Sequence, residues 1–170
     1  MDAARRAAPE IETFCLTLAY TGARISEVLA LVPLRIDTSA NAIVLESLKK
    51  RKRGIYRAVP VPANLLERLN TVHCILDRRR DPSLNNQRLW NWSRTTAWKR
   101  VKTIMRSAGI AERLAMPKAL RHAFGVRGTQ AGVPLNMIQR WLGHADIETT
   151  AIYTDVMGDE ERLLADRMWV

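Results

Sequence analysis

Apolar residues recur at helical spacing in the first part of the chain. After Pro9 they fall three and four positions apart, which predicts one face of an amphipathic helix formed by Ile11, Phe14, Cys15, Leu18 and Ala19. Thr21-Gly22 interrupts this pattern. A second, short helix is predicted next, with Pro33 at its end and an inward face formed by Ile25, Val28 and Leu29.

Between residues 35 and 62 the period changes to that of β-strands. Ile43-Val44-Leu45 is a short β-favouring run, and apolar residues alternate from Ile55 to Val61, interrupted by Arg57. Five cations and a glycine, Lys49-Lys50-Arg51-Lys52-Arg53-Gly54, join the two runs. The pattern predicts a small antiparallel sheet with a strongly positive hairpin tip, and Pro60 and Pro62 suit an edge strand.

Helical spacing returns after this sheet. One predicted helix has the apolar face Leu65, Leu66, Leu69, Val72 and Leu76. The polar segment from Asp77 to Arg88 is predicted to be a hinge-like, mobile loop. Ser93 is expected to cap the next helix and Gly109 to end it, with an apolar face formed by Trp98, Val101, Ile104, Met105 and Ala108.

The last third of the chain also has the pattern of helices. One is predicted from about Lys118 to Ala131, and another follows Pro134 up to the break at Gly143-His144. A short helix over residues 147–153 and a tail helix that opens with Asp159-Glu160-Glu161 complete the chain. The fold class predicted is α+β, mostly helical with a small antiparallel sheet.

Composition and charge narrow the class of protein. The chain has 170 residues, which suits one domain, and its 27 Lys and Arg exceed its 17 Asp and Glu, giving a formal charge of +10. This excess favours a polyanionic partner. Cys15, on an apolar helix stripe, and Cys74 form no metal or disulfide pattern, and the chain has neither a membrane span nor a secretory signal. We therefore expect no metal site and a cytoplasmic location.

Three motifs carry candidate chemistry. They are Thr21-Gly-Ala-Arg24-Ile-Ser-Glu27, Pro117-Lys118-Ala-Leu-Arg121-His122, and Leu142-Gly-His144 with Tyr153 nine residues after the histidine. In this order, with a lysine-bearing hairpin between the first two, they resemble the motifs of the tyrosine recombinases, also called phage integrases. The resemblance covers essentially the whole chain. It implies the catalytic fold of that family and cleavage and rejoining of DNA through a 3′-phosphotyrosyl intermediate, with no cofactor.

The chemistry suits these residue types. Attack on a phosphodiester builds negative charge on the nonbridging oxygens, and the chain has no carboxylate cluster typical of a two-metal site. Arginines can stabilise this charge through bidentate hydrogen bonds, which makes Arg24 and Arg121 the candidates. Glu27, three residues after Arg24, is expected to hold its guanidinium. The resemblance implies that Tyr153 is the nucleophile and that His144 donates a hydrogen bond to the scissile phosphate.

Two roles stay open at this stage. The family uses a hairpin lysine as general acid, and here Lys50 or Lys52 is favoured among the lysines of the tip. Most relatives carry histidine three residues before the second arginine, where this chain has Lys118. Lys118 is then either a hydrogen-bond donor or the base that accepts the tyrosine proton. His122 is interpreted as a supporting residue on a buried helix rather than as a catalyst.

Duplex DNA is the expected partner. The predicted contacts are cations of the hairpin tip and of the helix before Gly109: Lys49, Arg51, Arg53, Lys99, Arg100, Lys102 and Arg106. Trp90, Trp92 and Trp98 are interpreted as core or loop anchors rather than base-stacking platforms. Two alternatives are a catalytically impaired DNA-binding protein of this fold and a helix-turn-helix regulator, since residues 118–142 have a helix–turn–helix pattern.

Domain organisation follows from the same resemblance. We expect residues 1–170 to be a recombinase catalytic domain without the family's usual N-terminal DNA-clamping domain. A mobile element of a bacterium is the expected source. The apolar end Met168-Trp169-Val170 either docks into a neighbouring protomer, giving a homo-tetramer on DNA, or packs on its own domain.

Overall fold

The computed structural model describes residues 2–47 and 54–143. A 3-10 helix, Pro33–Arg35, precedes the first strand, and the strands are Ile36–Asp37 (β1), Ala42–Glu46 (β2) and Tyr56–Pro60 (β3). The α-helices are Asp2–Arg5 (α1), Pro9–Thr21 (α2), Ile25–Leu29 (α3), Ala63–His73 (α4), Ile75–Arg80 (α5), Arg94–Ser107 (α6), Pro117–Gln130 (α7) and Leu135–Leu142 (α8). The predicted α+β class, mostly helical with a small antiparallel sheet, is confirmed.

Helix α2 is the centre of the molecule and packs against α4, α6 and α7. In the predicted stripe, Phe14, Cys15 and Leu18 are buried, and Ile11 and Ala19 are half-buried. The threonines on its other side are buried too, because their hydroxyls donate to backbone carbonyls one turn earlier: Thr13 to Pro9 (3.0 Å), Thr17 to Thr13 (2.8 Å) and Thr21 to Thr17 (2.6 Å). Polar residues can therefore line a helix that is covered on several sides.

The sheet has three antiparallel strands in the order β1-β2-β3. Ile43 and Leu45 of β2 and Val59 of β3 are buried, so one face packs on the helices. The predicted alternation is wrong at one position of the β3 segment, Ile55. Ile55 precedes the strand and is exposed, whereas Arg57 points inward with Val59 and is buried. The cation that interrupts the apolar pattern belongs to the interior.

The helix predicted through Leu76 breaks at Cys74. This residue takes a left-handed conformation (φ +51°), so α5 starts in a new direction and Leu76 is exposed. The predicted loop from Asp77 to Arg88 is also wrong in its first part, because Asp77–Arg80 is helical. The remaining loop is tied down: Arg78 donates to the carbonyls of Gln87 (3.0 Å) and Arg88 (3.3 Å).

Helix α6 follows its predicted boundaries. The Ser93 hydroxyl accepts the Thr96 N–H (3.0 Å) as its N-terminal cap, and Gly109 follows its last turn with φ +77°. Val101 and Met105 are buried as predicted, but Trp98 and Ala108 are exposed. Ala97 takes the inward position instead, which turns the Trp98 ring away from the core.

Helices α7 and α8 meet at a turn where Gly132 has φ +71°. Gly143 ends α8 in the left-handed region (φ +65°). The helices predicted over residues 147–153 and from Asp159, and the apolar chain end, lie outside the described residues. Across residues 2–47 and 54–143, no helix is long and apolar enough to cross a membrane.

Candidate functional site

Three predicted site residues line one cleft of about 390 Å³ between the start of α3 and the start of α7. They are Arg24, Lys118 and Arg121, which come from motifs far apart in the sequence. The other lining residues are Ala23, Ile25, Ser26, Arg94, Trp98, Met116 and Pro117. Among the described residues, the cleft thus gathers four cationic side chains and no carboxylate.

Local backbone geometry positions Arg24. It is the N-cap of α3, in extended conformation, and Glu27 at the third helical position accepts its backbone N–H through Oε2 (2.8 Å). The Arg24 guanidinium donates through Nη1 to Oε1 of the same carboxylate (3.0 Å). The predicted pairing of Arg24 with Glu27 is therefore present, and it also explains why α3 begins where it does.

The Glu27 carboxylate is shared with a second arginine. Arg57 donates through Nη2 to Oε2 (2.6 Å) and through Nη1 to Oε1 (3.3 Å), and Glu27 is only 1% exposed. Burial by itself raises the pKa of this carboxyl, but the hydrogen bonds and charges of Arg57 and Arg24 outweigh burial and hold the pKa below its usual value. Glu27 is thus a buried anion between two cations.

Sequence reasoning missed Arg57. Besides Glu27, its guanidinium binds the carbonyl of Trp141 through Nε (2.6 Å) and the hydroxyl of Ser47 through Nη1 (3.2 Å). Arg57 therefore joins β3, the end of β2, α3 and the end of α8. A signal was present: an arginine at an inward-facing position of an apolar strand requires buried partners.

Arg121 is held by backbone carbonyls. Its Nη1 donates to the carbonyl of Gly22 (2.8 Å) and its Nη2 to that of Leu142 (2.7 Å). Gly22 has φ +60°, and a Cβ there would lie 2.7 Å from atoms of both Phe124 and Leu142. The glycine lets α2, α7 and α8 meet closely, and this meeting orients Arg121 at the cleft.

Lys118 and His122, the other two predicted site residues of the second motif, lie on the surface. Lys118 is exposed at the second position of α7 and faces the cleft. His122 is also exposed, so the expectation that it lies on a buried helix is wrong. The helix buries Pro117, Gly125 and Thr129 instead.

The predicted cations of α6 do not form one face. The Arg100 guanidinium stacks 4.1 Å from the centroid of the Trp92 ring and lines a different cavity, of about 550 Å³, between α2 and α4. Lys102 and Arg106 bind the carboxylate of Glu112 (2.6 Å and 2.9 Å), in the loop after α6. Lys99 is exposed. Arg94 and Trp98, which the sequence analysis did not assign to a site, are the α6 residues that line the cleft.

Trp90 and Trp92 are anchors, as predicted. Trp90 is buried and packs edge-on against Phe14, with ring centroids 5.1 Å apart, and Trp92 packs partly buried against the same ring. The remaining predicted site residues lie outside the described residues: Lys49, Lys50, Arg51, Lys52, Arg53, His144 and Tyr153.

The described part of the site suits a phosphate. Two guanidiniums that converge on one open cleft can each donate paired hydrogen bonds to phosphate oxygens, and Lys118 adds a third charge. Glu27 neutralises part of this charge from below, where it is shielded from solvent. The fold and the cleft therefore define an α+β domain with a cationic cleft that suits a phosphate.

Comparison with known proteins gives the family. The phage integrase family matches residues 1–160, and this chain belongs to it. It is 32% identical over 151 residues to the tyrosine recombinase XerD of Mycobacterium leprae, covering 82% of this chain and 46% of that protein. It is 33% identical over 150 residues to the tyrosine recombinase XerA of Pyrococcus furiosus, covering 83% and 48%. The chain thus spans about half the length of these relatives.

Solved structures agree on the fold. A crystal structure of XerA recombinase superimposes with a TM-score of 0.73 at 26% identity, over 98% of this chain and 63% of that one. XerH site-specific recombinase bound to its difH substrate before cleavage gives a TM-score of 0.76 at 23% identity, over 99% and 50%. The helix-turn-helix regulator is not favoured, because family and fold extend far beyond residues 118–142.

Proposed function

We propose that residues 1–170 form the catalytic domain of a site-specific DNA recombinase that cleaves and rejoins strands through Tyr153. The observation that carries this proposal is the meeting of Arg24, Lys118 and Arg121 at one cleft. These residues come from two motifs separated by almost a hundred positions, and the family matches both. Cationic donors that converge on one cleft suit the negative charge that builds on a phosphate during strand cleavage.

In the proposed reaction the phenolic oxygen of Tyr153 attacks the scissile phosphorus. The bond from phosphorus to the 5′-oxygen breaks, which leaves a 3′-phosphotyrosyl ester and a free 5′-hydroxyl. Arg24, Arg121 and His144 donate hydrogen bonds to the nonbridging oxygens as negative charge builds there. The ester keeps the bond energy, so the 5′-hydroxyl of another strand can displace the tyrosine without ATP.

Two protons move in this step. The departing 5′-oxygen takes one from a lysine of the hairpin tip, Lys50 or Lys52, acting as general acid. The tyrosine proton has to leave the phenol, whose unperturbed pKa lies near ~10. Lys118 lies in the cleft beside both arginines, so it is the candidate acceptor. In the alternative role it donates a hydrogen bond to the phosphate. Glu27 and His122 support the site.

Double-stranded DNA is the proposed substrate. The chain carries a formal charge of +10, which favours binding to DNA. The XerH structure, whose fold it shares, contains that protein bound to its difH substrate. The hairpin-tip cations Lys49, Arg51 and Arg53, with Lys99, Lys102 and Arg106 of α6, are the proposed backbone contacts. Arg100 stacks on Trp92 and lines another cavity, so of these proposed DNA contacts it has the least structural support. Assembly as a homo-tetramer on paired sites is proposed by analogy with the family.

Covalent trapping tests the nucleophile. Nicked duplexes that carry the junction sequences of the element encoding the chain are incubated with the protein, and the products are separated on a denaturing gel. Wild type should give a slow-migrating protein–DNA adduct and Tyr153→Phe none. Tyr20→Phe and Tyr56→Phe make the same chemical change at the other two tyrosines and should leave the adduct intact.

Either of two results would contradict the proposal. An adduct that persists in Tyr153→Phe would move the nucleophile elsewhere. DNA binding without an adduct in wild type, even after an N-terminal DNA-clamping domain from a relative is fused, would favour the catalytically impaired alternative.

A further inference from the structure

Glu112 stands alone among cations. From residue 82 to residue 145 the sequence contains eleven arginines and lysines and a single acidic residue, Glu112. The structure places it in the loop between α6 and α7, on the surface. Its carboxylate binds the Lys102 ammonium through Oε1 (2.6 Å) and the Arg106 guanidinium through Oε2 (2.9 Å). One carboxylate therefore forms ion pairs with two cations that lie one turn apart on α6.

Lys102 lies beside a residue that lines the candidate site, and Arg106 lies one helical turn further from it. The Lys102 ammonium is 5.0 Å from the centroid of the Trp98 ring, and Trp98 lines the cleft with Arg24 and Lys118. A duplex whose phosphate enters the cleft would bring neighbouring phosphates to this part of α6, because DNA carries one charge per ~1.7 Å along its axis.

The ion pairs of Glu112 can open at little cost. The Glu112 and Arg106 side chains are 60% and 61% exposed and the Lys102 side chain is 25% exposed, and ion pairs at the surface are weak and screened by salt. The two cations hold the pKa of Glu112 below its usual value, with the Lys102 hydrogen bond as the main cause, so the carboxylate is charged wherever DNA binding is measured. A dense row of phosphates competes directly with a single carboxylate for both partners.

We propose that Glu112 acts as a built-in competitor of DNA phosphate beside the cleft. This inference rests on the proposed function, since it assumes that the cleft binds duplex DNA. Without DNA, Glu112 holds Lys102 and Arg106; on binding, phosphates take its place and the carboxylate swings away on its loop. The competitor lowers affinity for duplexes in general, so that stable binding depends on the contacts of the correct site.

Duplex binding under varied salt tests this inference without knowledge of the target site. The probe is a fluorescein-labelled random-sequence duplex of about 30 base pairs, followed by anisotropy between about 50 and 200 mM salt. Glu112→Gln should bind about five- to tenfold tighter than wild type at the lowest salt. Its plot of log affinity against log salt should be steeper by about one unit, because in wild type the carboxylate set free on binding takes up a cation and offsets part of the counterion release.

Glu67→Gln is the matched control. It removes the same charge from an exposed position on α4, where the glutamate makes no ion pair within the described residues, and it should bind like wild type. A second comparison uses Lys102→Gln/Arg106→Gln as background. Glu112→Gln should have no effect there, because its partners are gone.

The outcomes separate the two proposals. If Glu112→Gln binds like wild type or like Glu67→Gln, or if it tightens binding equally without Lys102 and Arg106, the competitor role is wrong while the recombinase proposal stands. If none of the proteins binds the duplex at the lowest salt, even after an N-terminal DNA-clamping domain from a relative is fused, the proposed DNA cleft itself fails. Tighter binding that requires both cations supports the inference.

Discussion

The Arg57 guanidinium lies 2.6 Å from the Glu27 carboxylate, and both side chains are almost completely buried. Arg24 binds the same carboxylate from the solvent side, so the position of a predicted phosphate ligand depends on an arginine deeper in the fold. An ion pair at this depth is expensive to break from one side, because the remaining charge stays buried without its partner.

Replacing Arg57 by methionine should therefore destabilise the domain strongly. We expect a loss of about 3 kcal/mol in the free energy of unfolding, at the lower end of the range for broken buried pairs because Arg24 still binds Glu27. Urea unfolding followed by circular dichroism measures it. Arg68→Met is the comparison: it breaks the ion pair with Glu12 (2.7 Å), in which the arginine is partly exposed, and should cost less. Equal losses would contradict the claim that breaking the Arg57–Glu27 pair costs more because it is more deeply buried.

Acid should weaken the same pair. The pKa of Glu27 is lowered in the folded protein, so the unfolded chain takes up a proton first as pH falls. The stabilisation is complete above the ordinary value near 4.5 and is lost as pH falls through the lowered folded value. Glu27→Gln should lack this dependence. Unfolding free energies measured in steps below pH 5 for both proteins would show whether the curves differ in slope.

His73 should make stability depend on pH in a higher window. It is buried between α2 and α4, where its Nε2 lies 2.9 Å from the Thr13 hydroxyl and its ring packs edge-on against Trp90. Burial, with a contribution from the charge of Arg78, lowers the pKa of His73 from 6.5 to about 4. Between these two values the unfolded chain binds a proton at His73 and the folded chain does not. The free energy of unfolding is therefore highest above pH 6.5 and declines toward pH 4.

The expected loss at pH 5 is about 2 kcal/mol relative to pH 7.5, from a pKa difference worth ~1.36 kcal/mol per unit. His73→Gln keeps a side chain that can bind Thr13 but does not titrate, and it should remove most of this dependence. Chemical denaturation at the two pH values measures the difference. A wild-type free energy of unfolding that is equal at both would contradict the role given to His73.

Gly22 and Gly109 offer a matched pair of substitutions. Both have positive φ, +60° and +77°, so alanine is strained at either position. At Gly109 no atom of residues 2–47 and 54–143 lies within 4 Å of the new Cβ, whereas at Gly22 it would meet Phe124 and Leu142 at 2.7 Å. We expect Gly109→Ala to cost about 1 kcal/mol and Gly22→Ala at least about 3 kcal/mol, since overpacking adds to the strain. Thermal unfolding of the two variants side by side is sufficient to compare them.

Lys118 can be tested through the pH dependence of adduct formation. A lysine that accepts the tyrosine proton acts only when deprotonated, so the rate should rise into the alkaline range. An imidazole is deprotonated above about pH 6.5, so in Lys118→His the rise should move toward neutral pH. Single-turnover rates on the nicked duplex supply the profile. An alkaline limb that does not move would assign Lys118 to hydrogen-bond donation instead.

Local patterns predicted much of this molecule. The apolar stripe of α2, the Ser93 cap and the glycine after α6 depend on neighbours a few residues away, and all three are confirmed. The pairing of Arg24 with Glu27 was also readable, since three residues separate the partners within one helical start. The motifs are local patterns too, so they could indicate candidate phosphate-binding residues before any distance was known.

The misses concern contacts between distant segments. Arg57 interrupts an apolar strand in the sequence, and only the fold brings Glu27 and the Trp141 carbonyl to it. The helix breaks at Cys74, where the sequence has no glycine or proline that would predict a break. The predicted helix therefore extended through Leu76. Likewise, Glu112 could be linked to Lys102 only once the loop after α6 was seen to turn back on the helix.

Arg121 is a structural clasp as well as a candidate catalytic group. Because it joins the carbonyl of Gly22 to that of Leu142, selection for a folded domain preserves it whether or not DNA is cut. A copy of the gene that decays after losing Tyr153 would therefore keep this arginine long after recombination had ceased. Its presence in a distant homologue attests to the architecture, and its removal in the laboratory disturbs folding together with chemistry. The tyrosine is the more informative marker of a working enzyme.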